Sequence, residues 1–483
     1  MLDFWFWCIL GKYGKIAVEM SLKKKLEGLS FYNSAVKPLH FARAVVAGLK
    51  YKFPARRLKV IGVTGTNGKT TTCFMIWKML NEAGKKAGLM TTVSWGGVPS
   101  RSGYALKMRS EMNHMTTVDS RTLNKRIDLI RRAGAEYLVL EVTSHAMEQF
   151  RTLGVPVEVA VFTNLTHEHL DYHKTMENYR RAKCKLFRKA KFGVINADDK
   201  NAKAFMKVSK KYITYGIKNG KVRARKVKLS PEGVEYSCGD IKVKTQIPGE
   251  FNVYNSLAAV AVGQRLELSD EEIERGIASL ESVEGRMTKV SEGQEFTVIV
   301  DYAHTPDALE KVFKAIGEVS GRIITVHGGA GRRDETTRAE RGEILAKNSD
   351  IVIITEDDSR DEDPEKIAAQ FVEGAERAGK TRGKDLAVVI DREEAIAMAV
   401  KVARKGDVVL LLGKGHEKTI LRKDGAREFE DVKVARKYIR RKMRELEMKR
   451  EAAEKARKLR EEVERKERER RRREEDRYGN ITE

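Results

Sequence analysis

The stretch Val60-Ile-Gly-Val-Thr-Gly-Thr-Asn-Gly-Lys-Thr-Thr71 decides the fold of this chain. An apolar strand, predicted over 58–63, runs into a turn with two glycines, and a helix is predicted over 71–83. Backbone N–H groups of such a turn point at phosphate oxygens, and the helix N-terminus adds partial positive charge. Lys69 can reach the β- and γ-phosphates, and Thr70 can offer its hydroxyl to Mg²⁺. The stretch therefore predicts a phosphate-binding site at the first strand of a sheet.

Strand and helix patterns continue to alternate beyond this stretch. Apolar runs predict further strands over 137–142, 157–162, 192–196, 297–301, 322–327, 350–355, 386–390 and 408–412. Polar and β-branched residues alternate over 221–247, which predicts a small antiparallel insert. Because strands that alternate with helices build parallel sheets, the predicted fold class is α/β, with a central P-loop-type parallel sheet and a C-terminal Rossmann-like domain.

The same patterns divide the chain into four parts. They are a basic, largely helical N-terminal segment (1–57), a central domain (58–284), a C-terminal domain (285–432) and a charged helical tail (433–483). In the first part, apolar residues at helical spacing predict one amphipathic helix over 39–51. In the tail, interleaved Glu and Arg with few apolar residues predict a single solvated helix.

Composition narrows the function further. Of 483 residues, 41% are hydrophobic, which is enough for large cores and excludes wholesale disorder. The net charge of +24 is concentrated at the ends, since residues 1–60 hold 12 Lys/Arg against 3 Asp/Glu and residues 433–483 hold 21 against 13. A basic face that reads nucleic acid would lie on the fold itself, so we expect no nucleic-acid partner. The basic ends allow weak contact with an anionic membrane surface.

The first ten residues and the cysteines indicate where in the cell the protein is expected. The apolar run MLDFWFWCIL is too short to span a bilayer and lacks the features of a signal peptide. It either lies in a membrane interface or precedes the true start at Met20, and both interpretations stay open. The four cysteines are far apart and form no C-x-x-C pair, so we expect no disulfide framework and a cytoplasmic protein.

Further motifs follow the phosphate loop in order. They are Glu141-Val-Thr-Ser-His-Ala-Met-Glu-Gln-Phe-Arg151, Thr163-Asn-Leu-Thr-His-Glu-His-Leu-Asp-Tyr-His173, Tyr179-Arg-Arg-Ala-Lys-Cys-Lys-Leu-Phe187, Gly249-Glu-Phe-Asn-Val-Tyr-Asn255, Asp301-Tyr-Ala-His-Thr-Pro306 and Gly413-Lys-Gly-His-Glu417. Together with the T-G-T-x-G-K-T loop, they resemble the ATP-dependent Mur ligases over about 58–432. The last two motifs resemble the branch that adds the third residue of the peptidoglycan stem peptide.

The resemblance implies an ATP- and Mg²⁺-dependent amide ligase. ATP would phosphorylate a carboxylate of a UDP-N-acetylmuramoyl-dipeptide-like acceptor, and the amine of diaminopimelate or lysine would displace the phosphate. Such phosphoryl transfer needs positioned cations rather than a protein nucleophile. The resemblance further implies a monomeric cytoplasmic enzyme.

Motif matches also imply roles for individual residues. The catalytic set is Lys69, Lys183, His169 and Glu141, and Lys183 is expected to be carbamylated. The ATP-binding set is Gly65, Thr66, Asn67, Gly68, Lys69, Thr70, Thr71, Asn252, Asn255, Arg286 and Asp301. The metal set is Thr70, Glu141, His169 and carbamylated Lys183. The acceptor set is Thr116, Thr117, Ser144, Gln149 and Arg151, and the amino-acid set is Arg333, Asp357, Asp358, Arg360, Gly413 and Glu417.

Three departures from the family pattern stand out. Glu168 replaces the usual Asp before the metal histidine. The segment from Asp357 to Arg360 reads D-D-S-R where diaminopimelate-adding enzymes carry D-N-P-R, and its Arg suits an extra carboxylate whereas Asp358 tolerates an ammonium. Residues 1–57 are shorter than the family's uridine-binding domain, so the nucleotide-sugar end of the acceptor is held differently or the acceptor is not uridine-linked.

Rival functions remain open from sequence. One is another ligase of the superfamily, of the pseudomurein, cyanophycin or folate type. The other is a catalytically idle nucleotide-binding scaffold attached to membrane through its basic ends. The intact Lys69, Glu141, His169 and Lys183 favour an enzyme, because a decayed one would be expected to lose some of them.

Overall fold

The computed structural model describes residues 36–100, 106–110, 116–230, 233–333 and 335–478. Within these ranges the chain divides into two compact units, residues 1–283 and residues 284–483. The apolar run at the N-terminus and the choice between Met1 and Met20 lie outside the described residues. Each unit is an α/β structure with a mostly parallel sheet, so the predicted fold class is confirmed.

The first unit is built on a nine-stranded sheet in the order β4-β3-β2-β5-β1-β6-β7-β8-β9. Its strands are β1 Lys59–Thr64, β2 Ala87–Met90, β3 Ser94–Gly96, β4 Arg109–Ser110, β5 Tyr137–Glu141, β6 Val157–Phe162, β7 Ala190–Asn196, β8 Tyr212–Gly216 and β9 Val222–Arg223. Neighbouring strands are parallel along the sheet from β2 through β5, β1, β6, β7 and β8 to β9. At the other edge, β3 pairs antiparallel with both β2 and β4. The central strands are buried along nearly their whole length, as expected of a sheet covered by helices on both faces.

The helices of the first unit and a small second sheet cover this core. The helices are α1 Lys37–Lys50, α2 Lys69–Glu82, α3 Ser120–Arg132, α4 Ser144–Glu148, α5 Leu170–His173, α6 Met176–Lys189, α7 Ala202–Val208, α8 Glu250–Arg265 and α9 Asp270–Ala278. The antiparallel strands of the predicted insert are β10 Arg225–Ser230, β11 Gly233–Cys238 and β12 Ile241–Thr245. Helix α8 is buried on most of its surface and packs against α2, which places it behind the phosphate loop.

The second unit has a six-stranded sheet in the order β13-β14-β18-β15-β16-β17. Its strands are β13 Thr288–Lys289, β14 Thr297–Asp301, β15 Ile323–Gly329, β16 Ile351–Glu356, β17 Leu386–Val388 and β18 Val408–Leu412, followed by a hairpin of β19 Thr419–Arg422 and β20 Gly425–Glu428. Its helices are α10 Pro306–Ile316, α11 Arg338–Asn348, α12 Pro364–Arg377, α13 Arg392–Val402 and α14 Asp431–Tyr478. Neighbouring strands are parallel along the sheet from β14 through β18, β15 and β16 to β17. The loops after these strands therefore meet at one edge of the sheet.

The tail helix differs from its prediction at its start. The charged pattern predicts that all of 433–477 lies in solvent, but Ala435 and Ile439 are buried in the core of the second unit. Asp431, the first residue of α14, forms a fully buried ion pair with Arg392 at 2.8 Å. The prediction of a wholly solvated tail is therefore wrong for its first turns, because a short apolar stripe precedes the charged repeat. From Arg444 to Arg473 the helix is exposed, as expected.

Helix α1 also differs from a simple amphipathic helix. Its buried residues are Ala44, Ala47 and Gly48, whereas Leu39 and Val46 are 48% and 64% exposed. The helix thus packs through its small residues and leaves large apolar ones outside. Among the described residues, no helix is both long and apolar enough to cross a membrane.

Candidate active site

The phosphate loop has the backbone shape that its two glycines predict. Gly68 adopts a left-handed conformation with φ +82°, and a Cβ atom there would collide with Oδ1 of Asn255. At Gly65 a Cβ atom would collide with the hydroxyl of Thr163. Because any larger side chain would push the turn open, both glycines are needed for its tight curvature. The turn leads directly into α2, which begins at Lys69.

Glu141, at the end of β5, faces the start of α2. Its Oε2 accepts hydrogen bonds from the Thr70 hydroxyl and from the backbone and hydroxyl of Thr92, each at 3.0 Å. Glu141 is 1% exposed, so its carboxylate is fixed in place by these donors. A hydroxyl and a carboxylate held side by side are oxygen ligands of the kind that Mg²⁺ prefers. Two members of the predicted metal set, Thr70 and Glu141, are therefore brought together and fit a divalent cation.

Two lysines lie against the same loop. Lys69 folds back so that its Nζ donates to the carbonyl of Thr66 at 2.6 Å. Lys183 comes from α6, and its Nζ donates to the carbonyl of Gly65 at 2.6 Å while lying 4.5 Å from the centre of the Tyr179 ring. Burial, reinforced by the positive charge of Lys69, holds the pKa of Lys183 well below its usual range. Lys183 is therefore a buried amine whose uncharged form is favoured.

His169 lies in the loop that follows β6, with a left-handed backbone. Its Nε2 is 3.6 Å from a carboxylate oxygen of Glu168, the residue that departs from the family pattern. The same carboxylate lies 3.3 Å from the Tyr179 hydroxyl, which in turn lies 3.2 Å from the hydroxyl of Thr66. Glu168 thus connects the loop that carries His169 with the phosphate loop.

The predicted acceptor residues gather at the carboxyl ends of the neighbouring strands. Thr117 donates its hydroxyl to the backbone carbonyl of Glu141 at 3.0 Å. Arg151 donates to the backbone carbonyl of Thr117 and, at 3.0 Å, to the side-chain oxygen of Gln149. Thr116 is half-buried beside Thr117. The sequence motifs T-T and Q-x-R therefore meet in space, although they are more than thirty residues apart.

Ser144, the remaining acceptor residue, has a partner that the sequence analysis did not select. His173 Nε2 lies 2.8 Å from the Ser144 hydroxyl, and both side chains are buried. Burial and the nearby lysine Lys183 lower the pKa of His173 to about 4. The imidazole is therefore neutral near pH 7 and can orient the Ser144 hydroxyl. Its position in the motif that ends at His173 was visible in sequence, but its contact with Ser144 was not.

The two asparagines of α8 lie next to the loop. Asn255 accepts a hydrogen bond from the Thr72 hydroxyl at 3.3 Å and donates to Asn252 at 2.8 Å. Both asparagines are buried, and Asn255 packs against Gly68. Their assignment to the nucleotide stays a prediction. Asn255 contacts the loop at Gly68, whereas Asn252 donates to the carbonyl of Pro248 at 2.7 Å and supports Asn255.

In the second unit, four charged side chains form one buried cluster. The Nζ of Lys414 lies 2.9 Å from Asp357, 2.8 Å from Asp358 and 2.9 Å from Glu417. Burial by itself lowers the pKa of a lysine, but these three carboxylates raise the pKa of Lys414 well above its usual range. We call Asp357, Asp358, Lys414 and Glu417 the ammonium cluster. One ammonium against three carboxylates leaves a surplus of negative charge.

The surplus charge divides unequally between the two aspartates. The ammonium of Lys414 and the guanidinium of Arg392 hold the pKa of Asp357 below its usual value despite its burial. Burial and the neighbouring carboxylates raise the pKa of Asp358. Asp358, the residue that replaces the family's Asn, therefore binds a proton more readily than Asp357.

Arg360 lies beside the ammonium cluster, and Arg333 is near enough to act electrostatically on Arg360. Arg360 is half-buried in a left-handed conformation with φ +56°, and it donates to the carbonyl of Gly331 at 2.6 Å. Burial and the positive charge of Arg333 lower the pKa of Arg360. Arg333 is exposed. A pair of like-charged guanidinium groups near an acidic cluster is suited to a ligand that carries both carboxylates and an ammonium.

Gly413 borders the cluster at the end of β18. It has φ +107°, and a Cβ atom there would lie 3.2 Å from Oδ2 of Asp357. All the predicted amino-acid residues except the exposed Arg333 therefore lie in or against one cluster. Lys414, at the centre of the cluster, was not among the predicted site residues, although it directly follows Gly413 in the motif Gly413-Lys-Gly-His-Glu417.

Arg286 lies near the first residue of the second unit, and Asp301 is the last residue of β14. Asp301 accepts hydrogen bonds from the backbone of Met287 at 2.7 Å and of Ala303 at 2.8 Å. Burial raises its pKa, although Arg286 opposes this effect. Arg286 lies 4.7 Å from the centre of the Tyr302 ring. Asp301 thus shapes the turn that presents Arg286.

Comparisons with known proteins agree with these motifs. The Mur ligase middle domain matches residues 63–263, and the Mur ligase glutamate ligase domain matches residues 285–415. The chain is 39% identical over 417 residues to the UDP-N-acetylmuramoyl-L-alanyl-D-glutamate–2,6-diaminopimelate ligase of Syntrophomonas wolfei, covering 83% of this chain and 82% of that protein. It is 40% identical over 415 residues to the ligase of the same name from Geobacillus thermodenitrificans, covering 82% of each.

A solved structure is similar as well. A UDP-N-acetylmuramoyl-L-alanyl-D-glutamate–2,6-diaminopimelate ligase superimposes with a TM-score of 0.54 at 30% identity, covering 80% of this chain and 79% of that one. The resemblance inferred from the motifs thus extends over both units.

Proposed function

The chain belongs to the Mur ligase family, and we propose that it is an ATP-dependent acid–amino-acid ligase of peptidoglycan precursor synthesis. The proposed reaction joins meso-diaminopimelate to UDP-N-acetylmuramoyl-L-alanyl-D-glutamate. Relatives named for these two substrates share about 39% identity with it over more than four-fifths of their length, which supports the assignment. The proposed setting is the cytoplasm, with the chain acting as a monomer.

One observation carries the proposal in the first unit. The Thr70 hydroxyl and the Glu141 carboxylate lie together at the start of α2, at 3.0 Å, beside the loop against which Lys69 and Lys183 rest. ATP phosphates bound on this loop would draw the Lys69 ammonium away from the Thr66 carbonyl. Phosphoryl transfer to the acceptor carboxylate needs this kind of fixed cationic and oxygen-rich site.

Residues of the first unit would also hold the metal. Thr70, Glu141, His169 and carbamylated Lys183 would be its ligands, and bound Mg²⁺ would neutralise charge on the transferring phosphoryl group. The buried amine of Lys183, whose pKa is lowered, is suited to adding to CO₂ and losing a proton, which yields a carbamate anion. The lowered pKa and the burial of Lys183 support this modification.

The acceptor would be held by the residues that meet around Thr117. Arg151 offers a guanidinium to an acceptor carboxylate, and the Ser144 hydroxyl, oriented by neutral His173, offers a hydrogen bond. Carboxylate phosphorylation then creates an acyl phosphate. Attack by the amine of the incoming amino acid forms the amide bond and releases phosphate.

The ammonium cluster and its arginines would bind that amino acid. The surplus negative charge around Lys414 suits the distal ammonium, and Arg360 suits the distal carboxylate of diaminopimelate. Lysine is a second candidate because Asp358 replaces an uncharged Asn and favours a cation that has no accompanying carboxylate.

The test is a phosphate-release assay over a panel of acceptors and amino acids. We expect release to require ATP, Mg²⁺, the UDP-linked muramoyl dipeptide and an amino acid together, with meso-diaminopimelate giving the highest kcat/KM. Acceptors that lack the UDP group test whether the reaction requires a uridine-linked acceptor. Release that depends on no amino acid in the panel would overturn the proposal.

A further inference from the structure

Helix α1 presents a stripe of apolar side chains to the outside. Leu39, Ala42, Val46 and Leu49 recur at intervals of three, four and three residues, so they lie along one face of the helix. All four are exposed, and Leu39, Val46 and Leu49 are 48%, 64% and 63% exposed. We call these four residues the outer stripe.

The opposite face fixes the helix to the first unit. Ala44, Ala47 and Gly48 are buried there, and α1 packs against α3. A Cβ atom at Gly48 would collide with the ring of Phe53, so the close approach depends on a small residue. A surface helix normally buries its large apolar residues. Because α1 does the reverse, the outer stripe has no role in holding the first unit together.

The segment that carries the outer stripe is basic, although Lys37, at the start of α1, forms an ion pair with Glu148 at 3.3 Å. Residues 36–60 contain seven Lys and Arg residues and no Asp or Glu. The exposed basic residues of this segment are Arg43, Lys50, Lys52, Arg56, Arg57 and Lys59. Arg43 and Lys50 lie on α1 itself, on the same side as the outer stripe. An apolar stripe bordered by cations is the pattern of a helix that lies in the headgroup region of an anionic bilayer.

We propose that α1 docks the protein on an anionic lipid surface. Leu39, Val46 and Leu49 enter the boundary between headgroups and acyl chains, and Arg43 and Lys50 contact lipid phosphates with their long side chains extended toward the water. The helix lies along the surface and does not cross it. One such helix gives weak, reversible and salt-sensitive attachment.

Charge favours lipid over two other occupants of this face. A second copy of the chain would bring another basic, acid-free segment against the first, and the two would repel. Residues 1–35 contain five lysines and three acidic residues, so they cannot neutralise the basic border. Anionic headgroups supply the missing opposite charge.

The experiment measures sedimentation of the full chain with large unilamellar vesicles. One set is phosphatidylcholine alone and the other contains phosphatidylglycerol. We expect binding to the phosphatidylglycerol vesicles that falls as salt is raised, and little binding to phosphatidylcholine. The double variants Val46→Ser/Leu49→Ser and Arg43→Gln/Lys50→Gln should each weaken the binding by about tenfold or more.

A matched control comes from another exposed surface of the same unit. Leu229 on β10 is 50% exposed and is flanked by Lys226 and Lys228. The triple variant Lys226→Gln/Lys228→Gln/Leu229→Ser removes comparable side chains and should bind vesicles like the wild type. Phosphate release in vesicle-free solution should be unchanged in all of these variants, since none lies in the proposed active site.

Three outcomes would overturn the proposal. Wild type and stripe variants that bind phosphatidylglycerol vesicles equally would place the contact elsewhere. Mass that rises with protein concentration in light scattering, and that Val46→Ser/Leu49→Ser abolishes, would assign the outer stripe to a second copy. Stripe variants that melt at lower temperature, with no vesicle binding by the wild type, would show that the chain itself covers the stripe.

Discussion

Lys183 in the first unit and Lys414 in the second are both buried lysines, yet their surroundings move their pKa values in opposite directions. Burial lowers the pKa of Lys183 and the positive charge of Lys69 lowers it further, while Glu168 and Glu141 oppose this effect too weakly to reverse it. Lys414 is surrounded by three carboxylates, so its pKa is raised. The comparison shows that burial alone does not decide the charge of a lysine, because its partners do.

The two environments suit two kinds of chemistry. A buried amine whose pKa is lowered, such as that of Lys183, is suited to covalent modification and can then act as an anion. A permanent ammonium such as that of Lys414 holds acidic groups together and leaves their surplus charge for a ligand. The following substitutions separate these two roles. The first concerns Lys69, the lysine of the phosphate loop, which has neither role.

Lys69→Ala should have the largest effect. It removes the ammonium that faces the phosphates, so the turnover of ATP-dependent ligation should fall by about a thousandfold or more. Circular dichroism should show an unchanged fold, because the Lys69 ammonium donates to the carbonyl of Thr66 within its own loop and fastens no other element to it in the described part of the chain. Lys125→Ala, an exposed lysine on α3, is the control. More than about a tenth of wild-type turnover would show that the loop is misassigned.

Lys183→Ala should also be nearly inactive, and small carboxylates such as formate or acetate should partly restore its turnover. These anions stand in for the carbamate that alanine cannot form. Lys183→Arg should not be restored, since its guanidinium fills the space and is not carbamylated. The measurements are turnover with and without added carboxylate, and the intact mass of the wild type. An active enzyme with an unmodified lysine in both its mass and a high-resolution map would refute the carbamate.

Lys414→Met should destabilise the second unit by about 3–5 kcal/mol at pH 7, because three buried carboxylates lose their cation. Lys183→Met, compared with wild type freed of CO₂ so that the lysine carries no carbamate, removes a buried amine whose charged form is already disfavoured and should cost less than about 1.5 kcal/mol. Hydrogen exchange of β18 and β1 reports the stability of each unit. Equal losses would mean that the two lysines carry the same charge.

The loss of unfolding free energy caused by Lys414→Met should depend on pH. Without Lys414, the pKa values of Asp357, Asp358 and Glu417 rise above their unfolded values, so the folded state binds protons more readily than the unfolded state. The mutant therefore recovers stability relative to the wild type as pH falls from 7 toward 5. In the wild type, the lowered pKa of Asp357 stabilises the folded state at any pH above the pKa of this carboxyl in the unfolded chain. This stabilisation is lost as pH falls toward the lowered pKa. A deficit that stays constant with pH would argue against surplus carboxylate charge.

Arg360→Ala tests the ligand of the ammonium cluster and has the smallest expected effect. Loss of its fork from the distal carboxylate of diaminopimelate should cost roughly 2–4 kcal/mol, or about 30- to 1000-fold in kcat/KM. Lysine lacks that carboxylate, so its kcat/KM should change little or improve. Equal losses for both amino acids would mean that Arg360 supports the loop through its bond to Gly331. A wild type that prefers lysine would refute the diaminopimelate assignment.

The sequence predicted the elements that carry the sites with good accuracy. Strands β6, β14 and β18 have the predicted bounds, β1 is shifted by one residue, and β5 ends one residue before its predicted end. Each of these strands is a short apolar run bounded by turn residues, so local pattern was sufficient. The phosphate loop could be recognised for the same reason, since its glycines, lysine and threonines are consecutive in the chain.

Tertiary structure decided what local pattern could not. The apolar residues of α1 and of early α14 have similar helical spacing, yet those of α1 are exposed and Ile439 is buried, because burial depends on which neighbour the fold supplies. The same holds for charge. Lys183 and Lys414 are two of 94 basic residues in the sequence, and only the fold places one beside a carbonyl and the other among three carboxylates. Sequence determined which residues are present and which elements they form, whereas long-range packing set their solvation and their partners, and these two quantities fix the charge on which the proposed chemistry depends.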